Sequence, residues 1–347
     1  MKRFKQLLAL TLAVVLFASG CGNSGKESSS DKEKGQAETE VAKDDAKAQD
    51  KQEKIEKIVI AAPKAPPVMP ILRMKEAGLL GDTEIDLQVW DTPETLIGMV
   101  QSDAAAFYAV PLTVVSKLYN KGMGIQVLNT NTWGVASLVT SDPDLTSWSQ
   151  LKGKKIYVAL KSSPVDVFTR YFLKEAGVDP DNDCEIVYGS KAEIAQLIIS
   201  GEAEYATLIE PQVTAAMMKN KDLRVAFSFE DEWQRIKGDN SRIPTAGFAV
   251  SKSFAEEHPQ FTADFDAKYK EALQWVIDNP KEAAAMGEEY IGIKAPVLEK
   301  AIPKMGLYHV PSSTLKPILD GYYQMLFDFD PSTIGGKVPD EGFYFTK

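Results

Sequence analysis

Histidine and cysteine are almost missing from this chain, with two of each in 347 residues. Cys21 and Cys184 cannot build a disulfide framework inside a globular body, and no Cys/His zinc spacing occurs. His258 and His309 have no serine or cysteine nucleophile motif beside them, and H-E-x-x-H is absent. The glycine-rich cradles G-x-G-x-x-G and G-x-x-x-x-G-K-[ST] are absent too, which leaves no nucleotide-binding signature. Basic clusters are lacking: 39 Lys and Arg stand against 49 Asp and Glu, for a net charge of −10, which argues against a nucleic-acid partner. The apolar run at residues 7–17 is too short to cross a bilayer. Catalysis, redox chemistry and metal binding thus have no visible machinery, and neither cofactor nor metal is expected.

What is present begins at the N-terminus. Lys2, Arg3 and Lys5 lead into the apolar run and then into Ala18-Ser19-Gly20-Cys21. That order is a secretory signal. The small residues before Cys21 resemble the bacterial lipobox, although Ala18 stands where leucine is common. The resemblance implies a signal peptide over 1–20 and a lipid (palmitate among its acyl chains) on Cys21. An ordinary signal peptide with an incidental cysteine is the alternative. Residues 21–56 consist almost entirely of Ser, Gly, Lys, Asp, Glu, Ala and Gln, too polar to build a core. They are expected to be a disordered tether, or locally a charged helix, holding a globular body off the extracytoplasmic face of a bacterial membrane. Cys184 reads as a small apolar residue, not a reactive thiol.

The body is organised around a repeat. Residues 104–128, AAAFYAVPLTVVSKLYNKGMGIQVL, return as residues 204–228, EYATLIEPQVTAAMMKNKDLRVAFS, with Ala106, Pro111, Asn120 and Lys121 matched by Ala206, Pro211, Asn220 and Lys221. Each copy predicts a strand (104–107 in the first), a loop closed by proline, a helix and a second strand. Two such units predict two lobes with a cleft between them. Elsewhere short β-rich runs alternate with helical patterns, which predicts parallel α/β sheets. The polar stretch 230–242 breaks this alternation, residues 243–250 predict a returning strand, and amphipathic helices follow from 259, with His309 in an irregular tail. The expected organisation is one lobe from 57–132 and 246–347 and a second from 133–245, joined by two hinge crossings.

Several stretches carry a family likeness. Leu151-Lys152-Gly153-Lys154-Lys155-Ile156 opens the second lobe, Phe172-Leu173-Lys174-Glu175-Ala176-Gly177-Val178 ends a helix, and Ser200-Gly201-Glu202-Ala203-Glu204-Tyr205-Ala206 with Glu210-Pro211 forms a turn. In this order the body resembles type II periplasmic binding proteins. Within them it is similar to the nitrate, taurine and alkanesulfonate, and thiamine-precursor group of ABC-transporter substrate-binding proteins. The resemblance implies a monomeric protein that captures a small molecule by hinge closure and docks on a permease and its ATPase. Two other readings stay open: an enzyme of the same fold acting on a small metabolite, and a sensor or surface lipoprotein without a transporter.

In open α/β sheets ligands sit beyond the carboxyl ends of strands, where helix N-termini point. That rule selects Lys64, Trp90, Asp91, Tyr108, Ser162, Ser163 and Glu210, and the crossings add Asn131, Thr132, Trp133 and Thr245. Trp90, Tyr108 and Trp133 are each as well suited to core packing as to stacking on a planar ligand. Ser163-Pro164-Val165-Asp166 is a capping pattern, so Ser163 and Asp166 could do no more than cap a helix, while Ser162 leans towards ligand contact. Glu210 could bind a cationic or amino-bearing ligand, or only form a surface salt bridge or stabilise a turn. Lys64, Lys161 and Arg242 do not cluster, and Asp91, Asp166 and Glu210 oppose them. This balance favours an organic, nitrogen-containing or zwitterionic ligand over a bare inorganic anion.

Overall fold

The β-branched run Lys57–Ala62 forms β1 of the first lobe, second from the edge of its sheet, in the computed structural model, which describes residues 55–347. The leader, Cys21 and nearly all of the polar stretch lie outside the described residues. The other strands are β2 (Glu84–Val89), β3 (Phe107–Pro111), β4 (Ile125–Trp133), β5 (Ala136–Thr140), β6 (Lys155–Ala159), β7 (Glu185–Gly189), β8 (Tyr205–Ile209), β9 (Arg224–Ser228), β10 (Pro244–Ser251) and β11 (Leu307–Pro311). They form two sheets, ordered β11-β4-β10-β3-β1-β2 and β7-β6-β8-β5-β9. Both are mixed. In the first, β10 and β11 run against the parallel set; in the second, β5 alone does so. Helices cover both sheets, giving the two-lobed α/β fold that the alternation predicts.

The repeat is real in three dimensions: β3, helix Leu112–Asn120 and β4 in one lobe correspond to β8, helix Gln212–Lys219 and β9 in the other. The first strand of the leading copy, however, runs Phe107–Pro111 instead of 104–107, so its presumed loop is strand. Pairing decides this, since Ile60 lies opposite Phe107 and Gly247 opposite Val110. The polar stretch after β9 is also regular. Ser228 accepts from the Asp231 N–H and starts helix Phe229–Lys237, which buries Phe229 and Trp233. His309 lies in edge strand β11. Phe343 and Tyr344 are buried, and Tyr344 bridges to Val127 of β4.

Two crossings join the sheets, β4 into β5 through Gly134-Val135 and the approach to β10 through Ile243. They are fastened together: the Gly134 N–H donates to the Ile243 carbonyl at 2.9 Å, and the Ile243 N–H donates to Glu230 Oε2 at 2.9 Å. Gly134 has φ +55°, and a Cβ there would lie 2.4 Å from Glu230 Oε2, so the position requires glycine twice over. Behind the crossings, Tyr322 of helix Ser312–Phe329 stacks on Phe168 of helix Pro164–Glu175 at 6.2 Å.

The fastening carboxylate has a pH signature. Glu230 is held above the usual 4.5 chiefly by burial, and its Oε1 is buried without a hydrogen-bond partner. A folded-state pKa above the unfolded one means that the native protein binds the extra proton, so this group's contribution falls as pH rises from about 4.5 through the raised value. Glu230→Gln should therefore gain stability relative to wild type as pH rises through that window in urea unfolding. A difference independent of pH would refute this assignment.

Candidate functional site

The cleft opens where strands of both lobes end. One cavity of about 350 Å³ is walled by Lys64, Trp90 and Val110 of the first lobe, Lys191 and Glu210 of the second, and Thr132 and Thr245 at the crossings. A second, of about 270 Å³, reaches towards the second lobe along Thr113, Ser163, Thr207 and Gln212. The two share Pro111, Val135, Lys191, Ile209 and Thr245. Val110 and Pro111 in one repeat and Ile209 and Glu210 in the other thus line a common space.

Most of the wall is apolar, so its few polar groups define the chemistry. Glu210 is 9% exposed; its Oε2 accepts from the Thr214 N–H at 3.2 Å, and burial raises its carboxyl above the usual value. Lys191 follows the capping residue Ser190 at the start of helix Lys191–Ser200. Its side chain reaches cleft solvent, yet surrounding protein desolvates the ammonium and lowers its pKa. The Thr207 hydroxyl and the Gln212 side-chain oxygen are buried without a protein partner. A ligand or water in the cleft would satisfy them.

Of the residues selected from sequence, Lys64, Trp90, Thr132, Ser163, Glu210 and Thr245 line these cavities. Trp90 is held by donation from its indole N–H to the Ala109 carbonyl at 3.3 Å. Ser163 takes part from a capping position: its hydroxyl accepts from the Asp166 N–H and donates to the Ala159 carbonyl. The other five, Asp91, Tyr108, Asn131, Trp133 and Ser162, lie outside both walls, Asn131 fully buried in β4. Tyr108 is 1% exposed, and its hydroxyl donates to the Met99 carbonyl and accepts from the Ala105 N–H, so it is lobe core. Trp133 is also core, its indole donating to the Tyr308 carbonyl at 2.7 Å. Asp91 is exposed and lies outside both cavity walls.

At Ser162 the place for an anion is already taken. Its N–H, at the helix N-terminus where an anion would bind, donates instead to Asp166 Oδ2 at 2.8 Å. The protein's own carboxylate fills that place. Asp166 is 3% exposed and also accepts from Arg170 and Tyr188. Cys184 is half-buried, and burial pushes its thiol up, in keeping with an unreactive residue.

Among the described residues no group of three or more His, Cys, Asp or Glu could hold a metal ion, and no helix is long and apolar enough to cross a membrane. Two α/β lobes hinged over a sparsely polar cleft are the architecture of the periplasmic binding proteins. The chain belongs to the family described as ABC transporter, phosphonate, periplasmic substrate-binding protein, which matches residues 79–287, more than half its length. YtlA of Bacillus subtilis is 25% identical over 184 residues, 52% of each protein. The chain spans about half the length of the curated relatives it matches. Among solved structures, an ABC transporter from Parabacteroides distasonis superposes with a TM-score of 0.73 at 22% identity, covering 84% of this chain and 99% of the other. The aliphatic sulphonate binding protein SsuA from Escherichia coli gives 0.70 at 16% identity, covering 84% and 93%.

Proposed function

We propose that this protein is a monomeric extracytoplasmic lipoprotein, anchored through Cys21, that captures a small organic solute for an ABC importer. The lobes 57–132 with 246–347 and 133–245 would close over the solute by hinge motion, and the closed form would dock on a permease driven by its ATPase. The observation that carries this reading is the cleft wall, where Lys64, Lys191 and Glu210 are the charged groups on a mostly apolar surface contributed by both lobes. Two ammonium groups suit a sulfonate or phosphonate. One buried carboxylate suits an amino or other N–H group. The ligand class is therefore a small acid that also carries nitrogen, such as an aminosulfonate; the E. coli relative named for sulphonates is in keeping with this.

Calorimetric titration with 2-aminoethanesulfonate, 2-aminoethylphosphonate and a 4-aminopyrimidine tests this. One site per chain is expected for at least one compound, with a melting temperature raised by roughly 5 °C or more at a hundredfold excess over Kd. Lys191→Met should weaken binding of the acidic compounds about tenfold or more. No shift with any of them would remove the capture reading, and turnover of a bound compound would replace it with the enzymatic one.

A further inference from the structure

A chain of buried amides ends at the cleft, and its direction can be deduced. Asn129, Thr130 and Asn131 of β4 are fully buried, and Thr132, 7% exposed, lines the larger cavity. Asn129 Oδ1 accepts from the Phe248 backbone N–H at 3.1 Å, and a backbone N–H can only donate. That fixes the Asn129 amide: its Nδ2 faces Asp266 Oδ1, at 2.6 Å. Asn131 meets Asn129 Oδ1 at 3.1 Å, so it must present its Nδ2 there. Its Oδ1 is then left facing Thr132 Oγ1, at 2.9 Å, and can only accept. The single hydroxyl proton of Thr132 is committed to Asn131, so any further partner of that oxygen must donate to it.

We infer that Thr132 is a specificity-determining residue that accepts a hydrogen bond from the solute, and that Asn129, Asn131 and Asp266 are positioning residues that fix this polarity. The inference rests on the cleft being the capture site and adds the sense of one contact. A solute must bring an N–H or O–H to Thr132; a sulfonate or phosphonate oxygen placed there would face lone pairs. The acidic end of the solute therefore lies away from Thr132, and its donor group lies against it. Asp266 also accepts from His309 Nε2 at 2.9 Å, so a second buried donor holds the carboxylate at the root of the chain.

Two measurements decide this. Neutron diffraction from ligand-free crystals exchanged in deuterium oxide should place the Thr132 deuteron towards Asn131 Oδ1; a deuteron directed into the cleft overturns the inference. In calorimetry, 2-aminoethanesulfonate should bind and lose about ten- to a hundredfold in affinity in Thr132→Val, with Thr132→Ser restoring most of it. Propane-1-sulfonate, which lacks the donor, should bind more weakly and be indifferent to Thr132→Val. Equal sensitivity of both compounds to that substitution overturns the inference. If neither compound binds, the proposed ligand class fails, while the deuteron position still decides the polarity of the chain.

Discussion

Gly247→Ala should destabilise the protein by about 3 kcal/mol or more, read from urea unfolding. A Cβ at position 247 would sit 1.9 Å from the Asn129 carbonyl oxygen and 2.9 Å from Thr130 Cα, both backbone atoms. A flexible side chain could move aside, but here two strands would have to separate. The strands are β10 and β4, which pair along most of their length in the middle of the first sheet. The register shifts at this point, between Ala246 and Gly247, consistent with a locally close backbone approach. Because the same two strands lead into the crossings, the variant should also lose solute binding beyond what its stability explains. Wild-type stability in Gly247→Ala would mean that the strands do not approach so closely.

Asp266→Ala should cost about 3 kcal/mol, through a different mechanism. It removes the acceptor for Asn129 Nδ2 and for His309 Nε2, both buried. Leaving two buried donors without partners is worse than replacing the whole network by apolar groups, because each keeps its desolvation cost. Asp266→Asn should recover part of the loss, since an amide oxygen in the place of Oδ1 can still accept from both donors, though more weakly than a carboxylate. Ser200→Ala makes a useful comparison: its exposed hydroxyl bonds to the Leu197 carbonyl and Glu202, and its loss should change stability by less than about 0.5 kcal/mol. Equal effects of the Asp266 and Ser200 substitutions would mean that the buried network is not a source of stability.

Fold class was readable from alternation and from the repeat, because both depend on patterns that local chemistry writes into a sequence. The start of β3 was not. Residues 104–110 form an apolar run without period-two alternation, so only pairing with β1 and β10 decides where the strand begins. That shift carried Tyr108 from an expected cleft wall into the core. Helix Phe229–Lys237 did leave a trace, with Phe229, Trp233 and Ile236 at helical spacing behind Ser228, but its charged residues outweighed it.

Lys191 was within reach of the strand-end rule, since it follows β7 by two residues. Thr207 and Gln212 were not, because the direction of a side chain in a buried run depends on the sheet around it. The paired loops at Val110-Pro111 and Ile209-Glu210 line one cavity, and that part of the site follows from the repeat itself.

Native mass spectrometry of protein purified without denaturation tests the capture reading most directly. The account predicts one small organic molecule per chain, released on unfolding and missing from a Lys191→Met, Glu210→Gln double variant that melts like wild type. The same molecule retained by that variant, or a mass bound at several copies per chain, would contradict it.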